Sequence, residues 1–204
     1  MPISKFIPSK TNQWTYAKNG NIEMWISGYN TALISKKIIK YLNNKKYIEK
    51  DIIENILNSI DYHFGLVIFT KEWSLAATDC IRSYPLFWKK TDKYFLISPQ
   101  ANKIAKASKS KIENNQRLAF QMSGYTIGSS TLWKGINNIN PGEYIIFKKN
   151  KIQLHKKYFF YTPWINNNEK FITLKKNLKN EIKKIENCYA LYPTVGENLD
   201  YLNS

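Results

Sequence analysis

From Phe64 to Ile97 the chain reads FGLVIFTKEWSLAATDCIRSYPLFWKKTDKYFLI, and this stretch most narrows what the protein can fold into. Apolar runs rich in β-branched and aromatic residues alternate there with polar connections too brief to hold a helix. The spacing predicts four strands, Phe64–Thr70, Trp73–Asp79, Pro85–Lys89 and Tyr94–Ser98. Strands joined by such short connections pair antiparallel, because a parallel crossover needs a dozen residues or more.

The flanks extend the pattern. Gln13–Lys18 and Ile22–Ser27 are aromatic and β-branched, and Asn19-Gly20 between them signals a two-residue turn, so a hairpin is expected. Ala32, Leu33, Ile34, Ile38, Ile39 and Leu42 then recur at helical spacing, with Thr31 as the expected N-cap. A second helix is read over Ile48–Ile60, where Ile52, Ile53, Ile56, Leu57 and Ile60 share a face and acidic residues crowd the first turns. Further helices are expected over about Gln100–Ala107 and Asn115–Met122, and a last hairpin pairs Glu143–Lys148 with Lys151–His155 around Asn150. Runs of strands and runs of helices without βαβ alternation define an α+β class. Asn166-Asn167-Asn168 reads as a linker, and Leu174, Leu178, Ile182 and Ile185 mark a basic amphipathic helix after it. Two domains are therefore expected, residues 1–163 and 164–204.

At 204 residues, with 43% hydrophobic and 15% aromatic, the chain has material for one well-buried domain and part of a second, which excludes a mainly disordered polymer. The formal net charge of +16 would recruit phosphates if it were clustered. The lysines are instead spread through nearly every element, without a helix-turn-helix, zinc pair or RNA-binding aromatic signature, so a solvated basic surface is expected and nucleic acid is not an expected partner. The two cysteines, Cys80 and Cys188, have no metal or disulfide spacing, and His63 and His155 have no second ligand nearby, so no metal site is expected. No apolar run reaches membrane-spanning length and no signal-peptide core opens the chain; a cytoplasmic protein without a membrane partner is the expectation.

Three blocks carry a family likeness. The first combines Phe64-Gly65, the charged turn Lys71-Glu72, Asp79 and Pro85-Leu86-Phe87-Trp88. The second is Thr131-Leu132-Trp133, Gly135-Ile136 and Pro141-Gly142-Glu143, and the third runs from Thr194 to Tyr201. In this order they resemble an asparagine synthetase: an N-terminal class II glutamine amidotransferase domain, then the first phosphate-loop stretch of an ATP-pyrophosphatase synthetase domain. The likeness covers the chain from roughly Trp25 onward.

The resemblance implies a four-layer α/β/β/α sandwich of antiparallel sheets, the N-terminal nucleophile hydrolase arrangement, followed by a helix and strand from a truncated synthetase domain. It also implies glutamine-dependent amide transfer to a carboxylate, through an N-terminal Cys whose α-amine is the base and an Asn and a Gly that form the oxyanion hole. Here the chain begins Met1, Pro2, Ile3, Ser4, and the Asn-Gly-Glu segment of the family aligns with Ser27-Gly28-Tyr29. The likeness thus leaves Gly28 as the one substrate-site residue and implies no catalytic residue, so an inactive amidotransferase-like domain is expected. Asp79, Pro85, Pro141 and Gly142 are implied as structural motif residues, Asp79 organising the loop after its strand. Arg82, where the family has Gly, implies a backbone open to ordinary residues. ATP and magnesium belong to the family's synthetase domain, where Thr194, Gly196 and Asp200 match its phosphate loop; Glu197 within that loop would repel the ligand, so no cofactor is expected on this chain. The implied partner is an asparagine synthase domain or chain. As in β-lactam synthetases, a scaffold of this kind can persist without its Cys. Two other readings stand beside this one: an active half that uses Ser4 or Cys80 as an unusual nucleophile, and a stand-alone interaction module.

Overall fold

A computed structural model describes residues 4–9, 14–42, 49–61, 63–149 and 151–160, together with 176, 178–180, 182 and 183. The chain divides into two compact units, Met1–Tyr161 and Thr162–Ser204. The described residues of the second unit are helical, and Leu178 and Ile182 from the expected apolar stripe are exposed. Asn150, Cys188, the Asn166–Asn168 stretch, Leu174 and Ile185 lie outside the described residues.

In the first unit the elements run β1 (Ser4–Phe6), β2 (Thr15–Asn19), β3 (Ile22–Gly28), α1 (Thr31–Leu42), α2 (Lys50–Asn58), β4 (Phe64–Phe69), β5 (Ser74–Thr78), β6 (Phe87–Lys90), β7 (Phe95–Ser98), α3 (Ala101–Ala107), α4 (Asn114–Ser123), β8 (Asn137–Asn138), β9 (Glu143–Lys148) and β10 (Lys151–Lys157). Among the described residues they form two sheets, six-stranded β10-β9-β5-β4-β3-β2 and four-stranded β1-β7-β6-β8. The class is α+β. Every pair in the larger sheet is antiparallel. The smaller sheet departs from the expected antiparallel pattern, because β1 lies parallel to β7, Ser4 opposite Phe95 and Phe6 opposite Ile97. A three-residue strand carries too little periodicity to be seen in the sequence.

The period-two alternation of the large sheet divides its side chains between two cores. Met24, Ile26, Leu66, Ile68, Leu75, Ala77, Tyr144 and Ile146 face one way and pack with Ile34, Ile38 and Leu42 of α1 and Ile53, Ile56 and Leu57 of α2. Val67, Ala76, Ile145 and Phe147 face the other way and meet Phe6, Trp88, Phe95 and Ile97 of the smaller sheet. The far side of that sheet, through Leu96, packs on Ala101, Ile104 and Ala105 of α3. Burial on both faces explains why β4 and β5 read as continuous apolar runs rather than as alternating ones. A fully buried side chain such as Ile38 contributes roughly 2–3 kcal/mol through its burial.

Several local expectations shift. The first hairpin turns at Gly20-Asn21, one residue later than Asn19-Gly20, with Asn19 opposite Ile22 and Gly20 at φ +56°, the sign that primed turns demand. Thr31 lies inside α1 rather than capping it. Its hydroxyl donates to the Thr15 hydroxyl at 3.2 Å, while the Asn30 carbonyl, on a residue at φ +53°, accepts the N–H groups of Leu33 and Ile34. The buried stripe of α1 is Ile34, Ile38 and Leu42; Leu33 is exposed. β6 begins at Phe87, two residues after Pro85, because the Leu86 carbonyl is taken by Ile139 N–H at 2.9 Å before the ladder starts. Pro85 therefore precedes the strand instead of opening it. β10 is an exposed edge carrying three of its seven residues as lysine, with a register shift between Ile152 and Leu154, both features that discourage pairing with another sheet.

Candidate functional site

The first two blocks of the likeness converge on one corner of the large sheet, centred on Asp79 just past β5. Asp79 is 2% exposed. Its Oδ2 accepts the Phe64 N–H at 3.0 Å, its Oδ1 accepts the Ile81 N–H at 2.8 Å, and the Ser83 N–H reaches both oxygens, at 3.3 and 3.1 Å. The Asp79 carbonyl accepts N–H groups from Arg82 at 3.1 Å and Gly142 at 2.8 Å, while its own N–H donates to Phe64 O at 3.1 Å. One residue thus ties the start of β4, the loop after β5 and the Pro141-Gly142 turn together. Three backbone N–H donors hold the buried carboxylate, as a loop-organising Asp requires. His63 Nδ1 stands 3.9 Å from Oδ1, with its side chain largely exposed.

The surroundings complete the clasp. Thr78 Oγ1 donates to Asn140 O at 2.7 Å, Tyr158 O–H donates to Thr78 O at 2.8 Å, and Tyr158 N–H donates to Gly142 O at 2.8 Å. Burial, followed by the charge on Asp79, pushes the Tyr158 phenol well above its ordinary value. Gly142 holds φ +67°, and a Cβ there would come within 2.9 Å of Phe159 O, so this turn admits only glycine without a shift of backbone. Beside it, Glu143 accepts the Asn140 N–H at 2.9 Å and the Asn140 side-chain amide at 3.1 Å, and meets His155 Nε2 at 3.1 Å. Burial would raise the Glu143 carboxyl, but the hydrogen bonds from His155 and Asn140 outweigh it and bring it down to about 2.

Gly28 ends β3 opposite Phe64, whose N–H is held by Asp79. Its φ is +144°, and a Cβ would lie 2.3 Å from the His63 carbonyl oxygen. The glycine is therefore needed for close backbone approach. Arg82 overturns the expectation of ordinary backbone: it holds φ +59°, the left-handed region, because the loop must wrap its N–H groups around Asp79. That conformation costs about 1–2 kcal/mol for a residue with a Cβ. The guanidinium lies 5.2 Å over the Phe87 ring, and burial lowers its proton affinity.

The two candidate nucleophiles sit in different surroundings. Cys80 is exposed beside Asp79, but burial and then the Asp79 charge push its thiol up, which disfavours the thiolate. Ser4 is buried, with its hydroxyl 2.5 Å from that of Ser74. Ser74 pairs with Phe69 and Phe69 with Glu23, five residues before Gly28 along β3. At about 3.4 Å per residue this sets Ser4 roughly 17 Å from Gly28 along the strand direction alone, at the opposite end of the sheet. A cavity of about 290 Å³ opens at that end, lined by Ser4, Lys18, Glu23, Phe69, Lys71 and Ser74 among others. The sequence held no sign of it, since β1 supplies its floor through a pairing distant in the chain. Thr194, Gly196 and Asp200 lie outside the described residues. Among the described residues no group of three or more His, Cys, Asp or Glu side chains could hold a metal ion, and no helix is long and apolar enough to cross a membrane.

No protein-family model matches the chain. No curated protein matches it either. Among solved structures, it is similar to a glutamine phosphoribosylpyrophosphate amidotransferase from B. subtilis complexed with ADP and GMP, with 13% identity, a TM-score of 0.42, and coverage of 74% of this chain and 32% of that one. A structure described as the allosteric regulatory enzyme of purine biosynthesis gives 14% identity and a TM-score of 0.39, over 74% of this chain and 31% of the other. The chain spans about a third of the length of each. Similarity at this level establishes no shared site.

Proposed function

We propose that the first unit is a class II glutamine amidotransferase-like domain of the asparagine synthetase kind, kept as a scaffold after its glutaminase chemistry was lost. The observation that carries this reading is the Asp79 corner, where the carboxylate holds the N–H groups of Phe64 and of the loop after β5, the Asp79 carbonyl holds the Gly142 N–H, and Gly28 pairs with Phe64, so that the segments on which the resemblance rests meet around one residue. The succession of α1 and α2, the large sheet, the small sheet and α3 supports a four-layer sandwich of the N-terminal nucleophile hydrolase type. Against activity stand the upward push on the Cys80 thiol and the distance of Ser4 from Gly28. In this reading Thr194, Gly196 and Asp200 form a degenerate phosphate loop with no ATP turnover, and a synthase domain or chain is the partner in a cytoplasmic setting. The function is then structural support of that partner, without nucleic acid or membrane.

Glutamate and ammonia release from glutamine by the full chain tests this directly. No release above buffer is expected, and a diazoketone analogue of glutamine should leave the intact mass unchanged. Glutamine-dependent release that disappears in Cys80→Ala or Ser4→Ala would instead establish an active half with an unusual nucleophile.

A further inference from the structure

Helix α4 buries none of its residues. Isolated helices shorter than about 12–15 residues are marginal in water, so a helix of this length normally owes its persistence to a packed face. What holds α4 here is local and polar. Gln116 Oε1 accepts the Ile127 N–H at 2.8 Å, Thr126 Oγ1 donates to Ser130 O at 2.8 Å, and Gly124, at φ +80°, closes the last turn onto Phe120 O. The apolar residues point outward instead: Leu118 is 57% exposed, Met122 80%, Tyr125 68% and Ile127 65%. Leu118 and Met122, four apart, form one stripe on the helix surface.

The charge in the sequence flanking this stripe is one-sided. Between Ala101 and Asn140 the acidic side chain is Glu113 alone, against Lys103, Lys106, Lys109, Lys111, Arg117 and Lys134. The Lys134 N–H donates to Lys111 O at 2.9 Å, and Lys134 lines a cleft with Glu113, Asn115 and Gln116, which brings both lysines to the N-terminal end of α4. Among the described residues no ion pair involves Lys111, Arg117 or Lys134.

We propose that α4 and the loop through Ile127 dock a segment of another protein that is apolar at its centre and acidic around it. A second copy of this chain is disfavoured, since it would set these cations against their own kind. Nucleic acid would suit the cations and could stack on Tyr125 or Phe120, but it would leave the aliphatic Leu118, Met122 and Ile127 uncovered, since single-stranded nucleic acid is held by stacking on aromatic rings. The inference goes beyond the amidotransferase-like reading and does not depend on it.

The test is photo-crosslinking in the native cell from Met122→benzoylphenylalanine in the full chain, with the same residue at exposed Lys36 as the background. The crosslinked peptide is identified by mass spectrometry, and its purified parent is titrated against the chain. The expected peptide belongs to another protein and is acidic with apolar residues. Leu118→Glu should weaken that complex at least tenfold, the double variant Lys111→Glu/Lys134→Glu should weaken it as well, and raising the salt should lower the wild-type affinity. Crosslinks confined to this chain, to nucleic acid or to the Lys36 background overturn the proposal, as does a partner whose affinity ignores these substitutions and salt.

Discussion

The Asp79 corner and helix α4 lie in the same unit and use their polar and apolar groups in opposite ways. At the corner the carboxylate accepts from three backbone N–H groups within the fold, and the glycines there admit backbone where side chains would clash. Along α4 the apolar side chains face solvent and the cations carry no ion pairs among the described residues. The first region directs its polar groups into the fold. The second contributes little to the fold and has its binding groups free. Resemblance to an enzyme family thus attaches most strongly to a part of this molecule whose polar groups are engaged within the fold.

The contrast can be broken most severely at Asp79. Asp79→Ala strands the N–H groups of Phe64, Ile81 and Ser83 in a buried site and should cost about 3–5 kcal/mol in urea unfolding, with Asp79→Asn costing clearly less because an acceptor remains. Next comes a pair of glycines. Gly28→Ala drives a Cβ against His63 O at φ +144° and should lose about 3 kcal/mol. Gly20→Ala, also at positive φ but with nothing within 4 Å, should lose only about 1 kcal/mol. Equal losses would mean that strain, rather than crowding, sets the requirement at Gly28.

Acid provides a subtler probe. The Glu143 carboxyl is depressed in the folded state, so its contribution is fully present above its ordinary value of 4.5 and is lost as pH falls through that value toward about 2. Because His155 is a third exposed and solvent screens the pair, an effect on the order of 1–2 kcal/mol is expected. Melting temperature followed from pH 5 to pH 2 should fall less steeply in Glu143→Gln. The smallest effect belongs to α4, where Leu118→Glu and Met122→Glu should each change stability by less than about 0.5 kcal/mol. A larger loss in the isolated chain would show that these side chains are packed, and the comparison would fail at that end.

Much of this architecture was legible in residue order. The four strands between Phe64 and Ser98, the Ile34, Ile38 and Leu42 stripe, the Ile53, Ile56 and Leu57 face and the hairpin from Glu143 all follow from patterns that repeat within a few residues. Boundary errors came where a tertiary partner competed with a local signal. Thr31 turned its hydroxyl to Thr15, and the Leu86 carbonyl was claimed by Ile139 before β6 began. Arg82 occupies a left-handed position that its residue type does not advertise, because the loop on either side of it turns the Ile81 and Ser83 N–H groups onto the Asp79 carboxylate.

Local order along the chain determined which segments are strands and helices, and which of their faces are apolar, since both depend on periods of two and 3.6 residues. Only tertiary structure decided that β1 joins β7 in parallel, that Ser4 lies at the far end of the sheet from Gly28, and that α4 is left without a covering face. Those outcomes depend on contacts between residues far apart in the chain, such as Ser98 Oγ on Ile7 O, separated by 91. A pattern confined to neighbouring residues carries no record of such a pairing.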